Sequence, residues 1–199
     1  GAITLIGEEK LPPYDRPPLS KAAITDEEEA QPVLLLDEAT MQSLDVTWMG
    51  GARAERIDRA AKQVVLADGR CVPYGKLLLA TGATARKLPL PGAERALMLR
   101  TFADMQALRQ SFQPGVNVAI IGGGFIGLEL ATSAVKRGCA VTVLEAQPRI
   151  LLRAVPEEIA AAVARAHAAH GVRIICNAEI GVITADSVML KDGTAVKAD

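Results

Sequence analysis

Short apolar runs of strand length alternate along the chain with longer stretches whose apolar positions follow a helical period. In the first part of the chain the apolar run at residues 2–6 predicts a buried strand, and shorter runs predict strands or strand edges at 46–49 and 52–57 and strands at 64–66, 71–74 and 77–80. Asp68-Gly69 suits the tight turn of a hairpin. The run at 77–80 predicts a buried strand that ends at Thr81-Gly82. Four prolines in residues 11–21 exclude a helix interior and a central strand there, and predict a rigid loop.

The second part of the chain alternates strands and helices more regularly. Helical spacing and end signals predict helices at residues 101–111, 125–137 and 156–170, and apolar runs predict strands at 116–121, 141–144 and 172–175. Thr101 can cap the first helix, with Asp104 in its first turn. Residues 182–190 and 195–197 suggest a hairpin around Asp192-Gly193. The prolines and glycine of 86–92 predict a boundary between domains 1–87 and 88–199.

Two pairs of segments repeat within the chain. ITLIGEE resembles VTVLEAQ, and VVLADGRCVPYGK resembles VMLKDGTAVKAD. The second copy also follows a GxGxxG motif between the predicted strand at 116–121 and the predicted helix at 125–137, which is the pattern of a dinucleotide-binding unit. The predicted fold class is therefore α/β, with two tandem dinucleotide-binding (Rossmann-like) units of three-layer ββα character. If Glu8 corresponds to Glu145, the first glycine motif belongs ahead of Gly1, and the second copy stops at Asp199 where a strand should begin. We therefore expect both units to be incomplete, the second lacking its last strand or strands.

The glycines after the strand at 116–121 carry the strongest chemical signal. Gly122, Gly124 and Gly127 fit the GxGxxG pattern between a predicted strand and a predicted helix. The first permits a tight turn, the second lets the backbone approach a pyrophosphate, and the third lets helix and strand pack closely. Phe125 and Ile126, inside the motif, are also candidates for nucleotide binding. The alternative is a glycine turn that only eases packing.

Glu145 ends the next predicted strand, at the distance of about 20 residues where a ribose-binding acid belongs. Its carboxylate would accept hydrogen bonds from a ribose diol and repel a 2′-phosphate, which favours NAD over NADP. Arg149 and Arg153 lie just downstream and could contact a 2′-phosphate, so the phosphorylated cofactor stays open.

Composition removes several classes of function. Lys and Arg number 22, Asp and Glu 23, and aromatic residues make up 3% of the chain, which gives neither a basic field nor stacking platforms for nucleic acid. No apolar run has the length of a membrane helix and no secretory signal is visible. The three cysteines form no CxxC pair, and His167 and His170 indicate helix polarity instead of a metal site. A reducing cytoplasm is the expected location.

Glu129 stands in the apolar stretch FIGLELA. An unpaired buried carboxylate is costly, so it indicates either a function or a structural ion pair. RPPLS has two interpretations as well, a cofactor-binding loop or a stiff surface loop with solvated charges. Thr81-Gly82 could be an ordinary strand end.

The chain resembles a known family in PYDRPPLSK (residues 13–21), LLLATGATARKLP (77–89) and IIGGGFIGLELA (120–131). These segments are similar to the ferredoxin or rubredoxin reductases within the FAD/NAD(P)-dependent pyridine nucleotide-disulfide oxidoreductase superfamily. The family supplies the NADH-dependent, FAD-containing component of aromatic-ring dioxygenase and cytochrome P450 systems. Its N-terminal FAD glycine motif and C-terminal flavin motif are not found in this sequence.

The resemblance implies roles for matching residues. Near FAD it implies Glu8 at the adenosine ribose, the backbone around Ala52 and Arg53 at the adenine, and further contacts from Arg16, Lys21, Thr81, Gly82 and Arg86. Lys21 and Glu129 would form a pair beside the flavin and the nicotinamide, and they are the catalytic candidates. No metal ligand is implied.

The function that the resemblance implies is electron transfer from NADH through FAD to a ferredoxin or rubredoxin, by a monomer or homodimer without nucleic acid or membrane partners. Alternatives are an NADH oxidase or nitrite reductase-type flavoprotein, and a redox-sensing protein similar to apoptosis-inducing factor. A further alternative is that this chain alone is an inactive fragment.

Overall fold

A computed structural model of the chain describes residues 1–26, 28 and 30–199, and they divide into two units. The first unit comprises residues 1–15 and 32–83, and the second comprises residues 16–31 and 84–199. The observed division after residue 83 lies close to the predicted boundary after residue 87. Residues 16–31, which the sequence places in the first domain, pack with the second unit.

The elements follow the predicted alternation in most places. The helices are α1 (Ala22–Thr25), α2 (Glu38–Ser43), α3 (Phe102–Ser111), α4 (Phe125–Lys136) and α5 (Glu157–Ala169). The strands are β1 (Ile3–Gly7), β2 (Val46–Gly50), β3 (Ala54–Asp58), β4 (Gln63–Leu66), β5 (Cys71–Pro73), β6 (Asn117–Ile121), β7 (Ala140–Leu144), β8 (Arg173–Ile175), β9 (Ile180–Ile183), β10 (Ser187–Leu190) and β11 (Ala195–Lys197). Short 3₁₀ turns span Pro17–Ser20 and Ala93–Arg95.

The first unit contains a parallel pair and an antiparallel meander. β1 pairs with β2 in parallel, and β3, β4 and β5 form an antiparallel sheet in chain order. The strand predicted at residues 2–6 is confirmed as β1, but its predicted burial is wrong, because Ile3 is 51% exposed. Ala52, Val64 and Leu66 form a buried cluster against which Ile6 and Met49 pack. This cluster joins the apolar faces of both sheets, so the predicted hairpin around Asp68-Gly69 is confirmed as part of a larger packed layer.

The segment at residues 77–80 differs from its prediction. It forms no strand, and Leu78 is 87% exposed. A buried strand needs a ladder partner and an apolar cover, and the described residues of the first unit supply neither for this segment. The apolar run therefore indicated strand propensity but not burial, and the prediction of a buried strand is wrong for this structure.

The second unit is built on the parallel sheet β6-β7-β8. Helix α4 connects β6 to β7 and α5 connects β7 to β8, so each crossover is the strand–helix–strand unit that a parallel sheet requires. Val143 and Leu144 are almost completely buried in the central strand. This is the Rossmann-like arrangement that the sequence predicts for residues 116–175.

The remaining strands of the second unit form the antiparallel sheet β9-β10-β11. The predicted hairpin around Asp192-Gly193 is confirmed as β10 and β11. The single run expected at residues 182–190 is instead broken between β9 and β10, where the Thr184 side chain accepts the Ser187 N–H and turns the chain. Both units thus carry a parallel sheet followed by an antiparallel meander, in agreement with the internal repeat.

Helix α3 begins with the predicted cap. The Thr101 hydroxyl accepts the Asp104 N–H at 3.1 Å, and the Asp104 carboxylate accepts the Thr101 N–H at 2.7 Å. This reciprocal arrangement is a capping box and satisfies donors that the first helical turn leaves unpaired. In the described part of the chain, no helix combines the length and apolar content that crossing a bilayer requires.

Candidate functional site

The glycine turn of the second unit lies between β6 and α4. Gly122 has a φ of +112°, a conformation that glycine adopts without strain. A Cβ on Gly127 would lie 2.1 Å from the Gly122 carbonyl oxygen, so helix and turn approach too closely for any side chain there. A Cβ on Gly124 would meet nothing within 4 Å. The turn therefore has no room for a side chain at Gly127, where the helix packs on it, but has free space at Gly124, where α4 begins.

The start of α4 suits a phosphate group. Among the described residues no side chain caps this end, and the first turn holds no acidic residue. The early N–H groups of a helix have no intrahelical partner, and the helix dipole places positive charge at this end. The open face and the uncapped donors together fit the pyrophosphate of a dinucleotide.

Glu145 lies directly after β7 and beside this turn. Its carboxylate accepts the Gly123 N–H at 2.7 Å with one oxygen and the Gln147 N–H at 2.8 Å with the other. Because β6 and β7 are parallel neighbours, their carboxyl ends bring acid and glycines together. A carboxylate held in this way keeps acceptor capacity for a ribose diol. These residues fit NAD(H).

The other candidates near the turn are arranged differently. Phe125 and Ile126 are both 57% exposed at the start of α4 and offer apolar surface beside the open turn. Arg149 donates to the carbonyls of Ile150, Leu152 and Val155, so its guanidinium stabilises the loop that follows it. Arg153 is exposed. Binding of a 2′-phosphate by these arginines stays a prediction.

Lys21 and Glu129 form an ion pair within the second unit. The Lys21 Nζ lies 2.8 Å from Glu129 Oε2 and also donates to the Pro17 carbonyl at 3.2 Å. The 3₁₀ turn at Pro17–Ser20, which the prolines favour, presents Lys21 toward α4. Arg16, at the start of this turn, donates to the Arg100 carbonyl. The structure thus joins the two residues that the family resemblance implies as catalytic candidates.

The environment of Glu129 favours its charged form. Burial raises the pKa of this carboxyl, but hydrogen bonds from Lys21 and Ser20 and the Lys21 charge outweigh burial and lower the pKa below the ordinary glutamate value. The side chain is therefore ionised at neutral pH, and the pair with Lys21 is formally neutral.

The remaining cofactor candidates of the first unit lie at its parallel pair and its exposed segment. Glu8 follows β1 and forms a 2.8 Å ion pair with Arg53, in which both side chains are mostly exposed. The Ala52 N–H donates to the Gly7 carbonyl at 2.9 Å. An acid at the carboxyl end of a parallel strand is placed as a ribose ligand of FAD would be.

Thr81 and Gly82 lie in the exposed segment that lacks regular structure, and Gly82 has a φ of +66°. The interpretation of Thr81-Gly82 as a strand end is therefore wrong, because residues 77–80 form no strand. Arg86 is exposed in the second unit. Roles of these residues in FAD binding stay predictions.

Two serines that sequence reasoning passed over belong to the site. Ser20 donates its hydroxyl to Glu129, and Ser133 donates its hydroxyl to the Ser20 carbonyl at 2.7 Å. Ser133 stands four positions after Glu129, on the same helix face, but no pattern in the sequence indicates its contact with Ser20. Within the described residues no cluster of His, Cys, Asp and Glu has the arrangement of a metal site.

Comparison with known proteins gives a consistent result. The model of the pyridine nucleotide-disulphide oxidoreductase family matches residues 1–199. The anthranilate 1,2-dioxygenase system ferredoxin–NAD(+) reductase component of Burkholderia cepacia is 42% identical over 172 residues, which are 85% of this chain and 42% of that protein.

Solved structures agree in fold. A ferredoxin reductase of Rhodopseudomonas palustris superposes with a TM-score of 0.95 at 36% identity, covering 100% of this chain and 51% of that one. The reductase of a covalent putidaredoxin reductase–putidaredoxin complex gives a TM-score of 0.93 at 31% identity, covering 100% and 51%. The chain thus spans about half the length of the relatives that it matches.

Proposed function

The chain belongs to the pyridine nucleotide-disulphide oxidoreductase family, and on that premise we propose that its protein transfers electrons from NADH through FAD to a ferredoxin or rubredoxin. The observation that carries the proposal is the arrangement along α4. The helix begins at an open glycine turn beside Glu145, and one turn further it presents Glu129 in an ion pair with Lys21. The relatives named as ferredoxin reductases support the same function.

The residues divide the work in a way that their chemistry explains. The uncapped N–H groups of α4 would bind the pyrophosphate of NADH, and Glu145 would orient the adenosine ribose and discriminate against a 2′-phosphate. Bound FAD would supply the conversion of a two-electron hydride donor into two single-electron transfers to iron–sulfur proteins. The nicotinamide and the flavin must meet in a fixed geometry for hydride transfer, which makes orientation a central contribution of the protein.

Lys21 and Glu129 supply fixed charges for that step. The lysine charge stabilises the ionised carboxylate, whose described hydrogen bonds all reach Oε2. We assign the pair to positioning the nicotinamide and setting the local charge where hydride arrives. We place the protein in the cytoplasm as part of the same proposal.

An anaerobic titration of the FAD-loaded protein tests the function. Addition of NADH should bleach the flavin absorbance, and a ferredoxin or rubredoxin added afterwards should be reduced while the flavin absorbance returns. NADPH should act more weakly. A flavin that NADH does not bleach would contradict the proposal.

Two further readouts identify the alternatives. Rapid oxygen consumption by the NADH-reduced protein, with negligible reduction of the iron–sulfur protein, would indicate an NADH oxidase instead. A change of oligomeric state on NADH addition without such turnover would indicate a redox-sensing protein.

A further inference from the structure

Two buried serines contact each other in the second unit. Ser20 and Ser133 are 5% and 3% exposed, and they are the buried polar side chains among the described residues. The Ser133 hydroxyl donates to the Ser20 carbonyl at 2.7 Å, which joins the proline-rich turn to the middle of α4. A buried polar group is costly unless it is hydrogen-bonded. This contact therefore favours the observed packing of the turn on α4 over any packing that leaves the Ser133 hydroxyl unpaired.

Ser20 is held at two points by residues one helical turn apart. Its hydroxyl donates to Glu129 Oε2, and its carbonyl accepts the Ser133 hydroxyl. Glu129 and Ser133 lie at i and i+4 of α4, on one face of the helix. Two contacts on one residue set both the position of the turn along the helix and its rotation.

The serine contact differs in kind from the ion pair on the same oxygen. Lys21 has a side chain that is 52% exposed, and a long exposed side chain loses entropy when an ion pair holds it in one geometry. Ser20 is buried and has one side-chain torsion besides its hydroxyl rotation. The serine is therefore the more rigid of the two donors to Glu129.

We infer that Ser20 and Ser133 are positioning residues for the Glu129 carboxylate. Ser133 holds the Ser20 backbone against α4, and the Ser20 hydroxyl fixes the direction in which the carboxylate points. The consequence for hydride transfer rests on the proposed function, whereas the geometry of the carboxylate does not.

Titration of the Glu129 carboxyl by ¹³C NMR in the full chain tests the geometric part. The spectrum of Glu129→Gln identifies the resonance. Lys21 is the charged group that contacts this carboxyl within the described structure, and it is retained in all serine variants. Ser20→Ala removes a hydrogen bond that favours the ionised form, so the pKa of Glu129 should rise by roughly half a unit to one unit.

The other variants separate positioning from general stability. Ser133→Ala should raise the same pKa by a smaller amount, because it acts through Ser20. Ser111→Ala, which removes an exposed hydroxyl bonded within α3, should leave it unchanged. If Ser20→Ala does not fold, the pKa of Glu129 in Ser133→Ala tests the inference. Serine variants that lower the melting temperature but leave the Glu129 titration unaltered would overturn the inference.

Stopped-flow reduction of the FAD-loaded protein by NADH tests the consequence. Ser20→Ala should slow flavin reduction at saturating NADH by about tenfold, with a smaller change in the NADH concentration that gives half-saturation. If NADH fails to reduce the flavin even in the unaltered protein, the proposed function is wrong, and the NMR titration still decides whether the serines position Glu129. An unaltered reduction rate in Ser20→Ala would contradict the catalytic consequence.

Discussion

At the scale of single residues, Gly124 and Gly127 meet two different demands within one motif. A Cβ on Gly127 would lie 2.1 Å from a backbone oxygen, and backbone cannot move aside as a flexible side chain can. A Cβ on Gly124 would enter open space at the start of α4. One glycine therefore serves the packing of the fold, and the other keeps a surface clear for a ligand.

We predict that Gly127→Ala destabilises the chain by about 2 kcal/mol, because overpacking against backbone costs roughly 1–3 kcal/mol. Gly127→Ala should also weaken NADH binding. Gly124→Ala should cost only about 0.5 kcal/mol of stability, because alanine is a poorer N-cap residue than glycine. It should weaken NADH binding by about tenfold, since the methyl group occupies the space that a phosphate needs. Thermal denaturation and titration with NADH measure the two effects separately.

Gly181→Ala is the matched control, since its Cβ would make an ordinary contact at 3.5 Å with the Met189 carbonyl oxygen. It should change neither quantity. Equal loss of stability in the Gly124 and Gly127 variants would show that both glycines serve packing alone.

Sequence could point to single residues where a local pattern carried the signal. The glycines and Glu145 are identified by spacing along one strand–helix–strand unit, and the structure brings them together. Ser20 and Ser133 lie 113 positions apart, and their contact depends on the packing of a loop on a helix that spacing does not encode. A serine also occurs too commonly on surfaces to mark a buried contact by itself.

At the scale of elements, α3 shows how much of a helix its first turn determines. The predicted cap residue Thr101 and the acid Asp104 are observed to bond each other's backbone N–H groups. Such local chemistry can be read from adjacent residues. Burial of residues 77–80 could not be read in the same way, because it depends on a neighbouring strand and cover and not on the segment itself.

Removal of the cap should destabilise the second unit by a modest amount. Thr101→Ala leaves the Asp104 N–H without its side-chain acceptor, and loss of a cap costs about 1 kcal/mol. We expect a fall of a few degrees in the melting temperature by circular dichroism. Thr101→Ser retains the oxygen and should restore most of the loss. If serine and alanine are equally destabilising, the lost methyl contacts and not the hydrogen bond account for the effect.

At the scale of the whole molecule, chain order and spatial grouping disagree. The described residues of 16–31 group with the second unit, although the residues before and after them along the chain belong to the first. Arg137 donates to the Ile24 carbonyl, and Arg109 donates to the carbonyls of Ala23, Asp26 and Glu28. These bonds cap the end of α1 with charged donors. A domain boundary predicted from proline and glycine content could not show that this earlier segment of the chain groups with the second unit.

This grouping predicts how the chain behaves when it is cut between the units. A site for a sequence-specific protease, inserted after residue 83 in the exposed segment, would separate residues 1–83 from 84–199 covalently. The pieces should still elute together in gel filtration, because residues 16–26 stay bound to α4 through Ser20 and Lys21, to Arg137 through Ile24, and to Arg109 of α3 through Ala23. Arg109→Ala combined with Arg137→Ala should weaken the association of the pieces, because it removes the donors at the end of α1 while the contacts of Ser20 and Lys21 with α4 remain. Arg165→Ala, at an exposed position of α5, is the control and should leave them associated. If the pieces separate after cleavage without any substitution, residues 16–26 are held on the second unit by the covalent connection and not by these bonds.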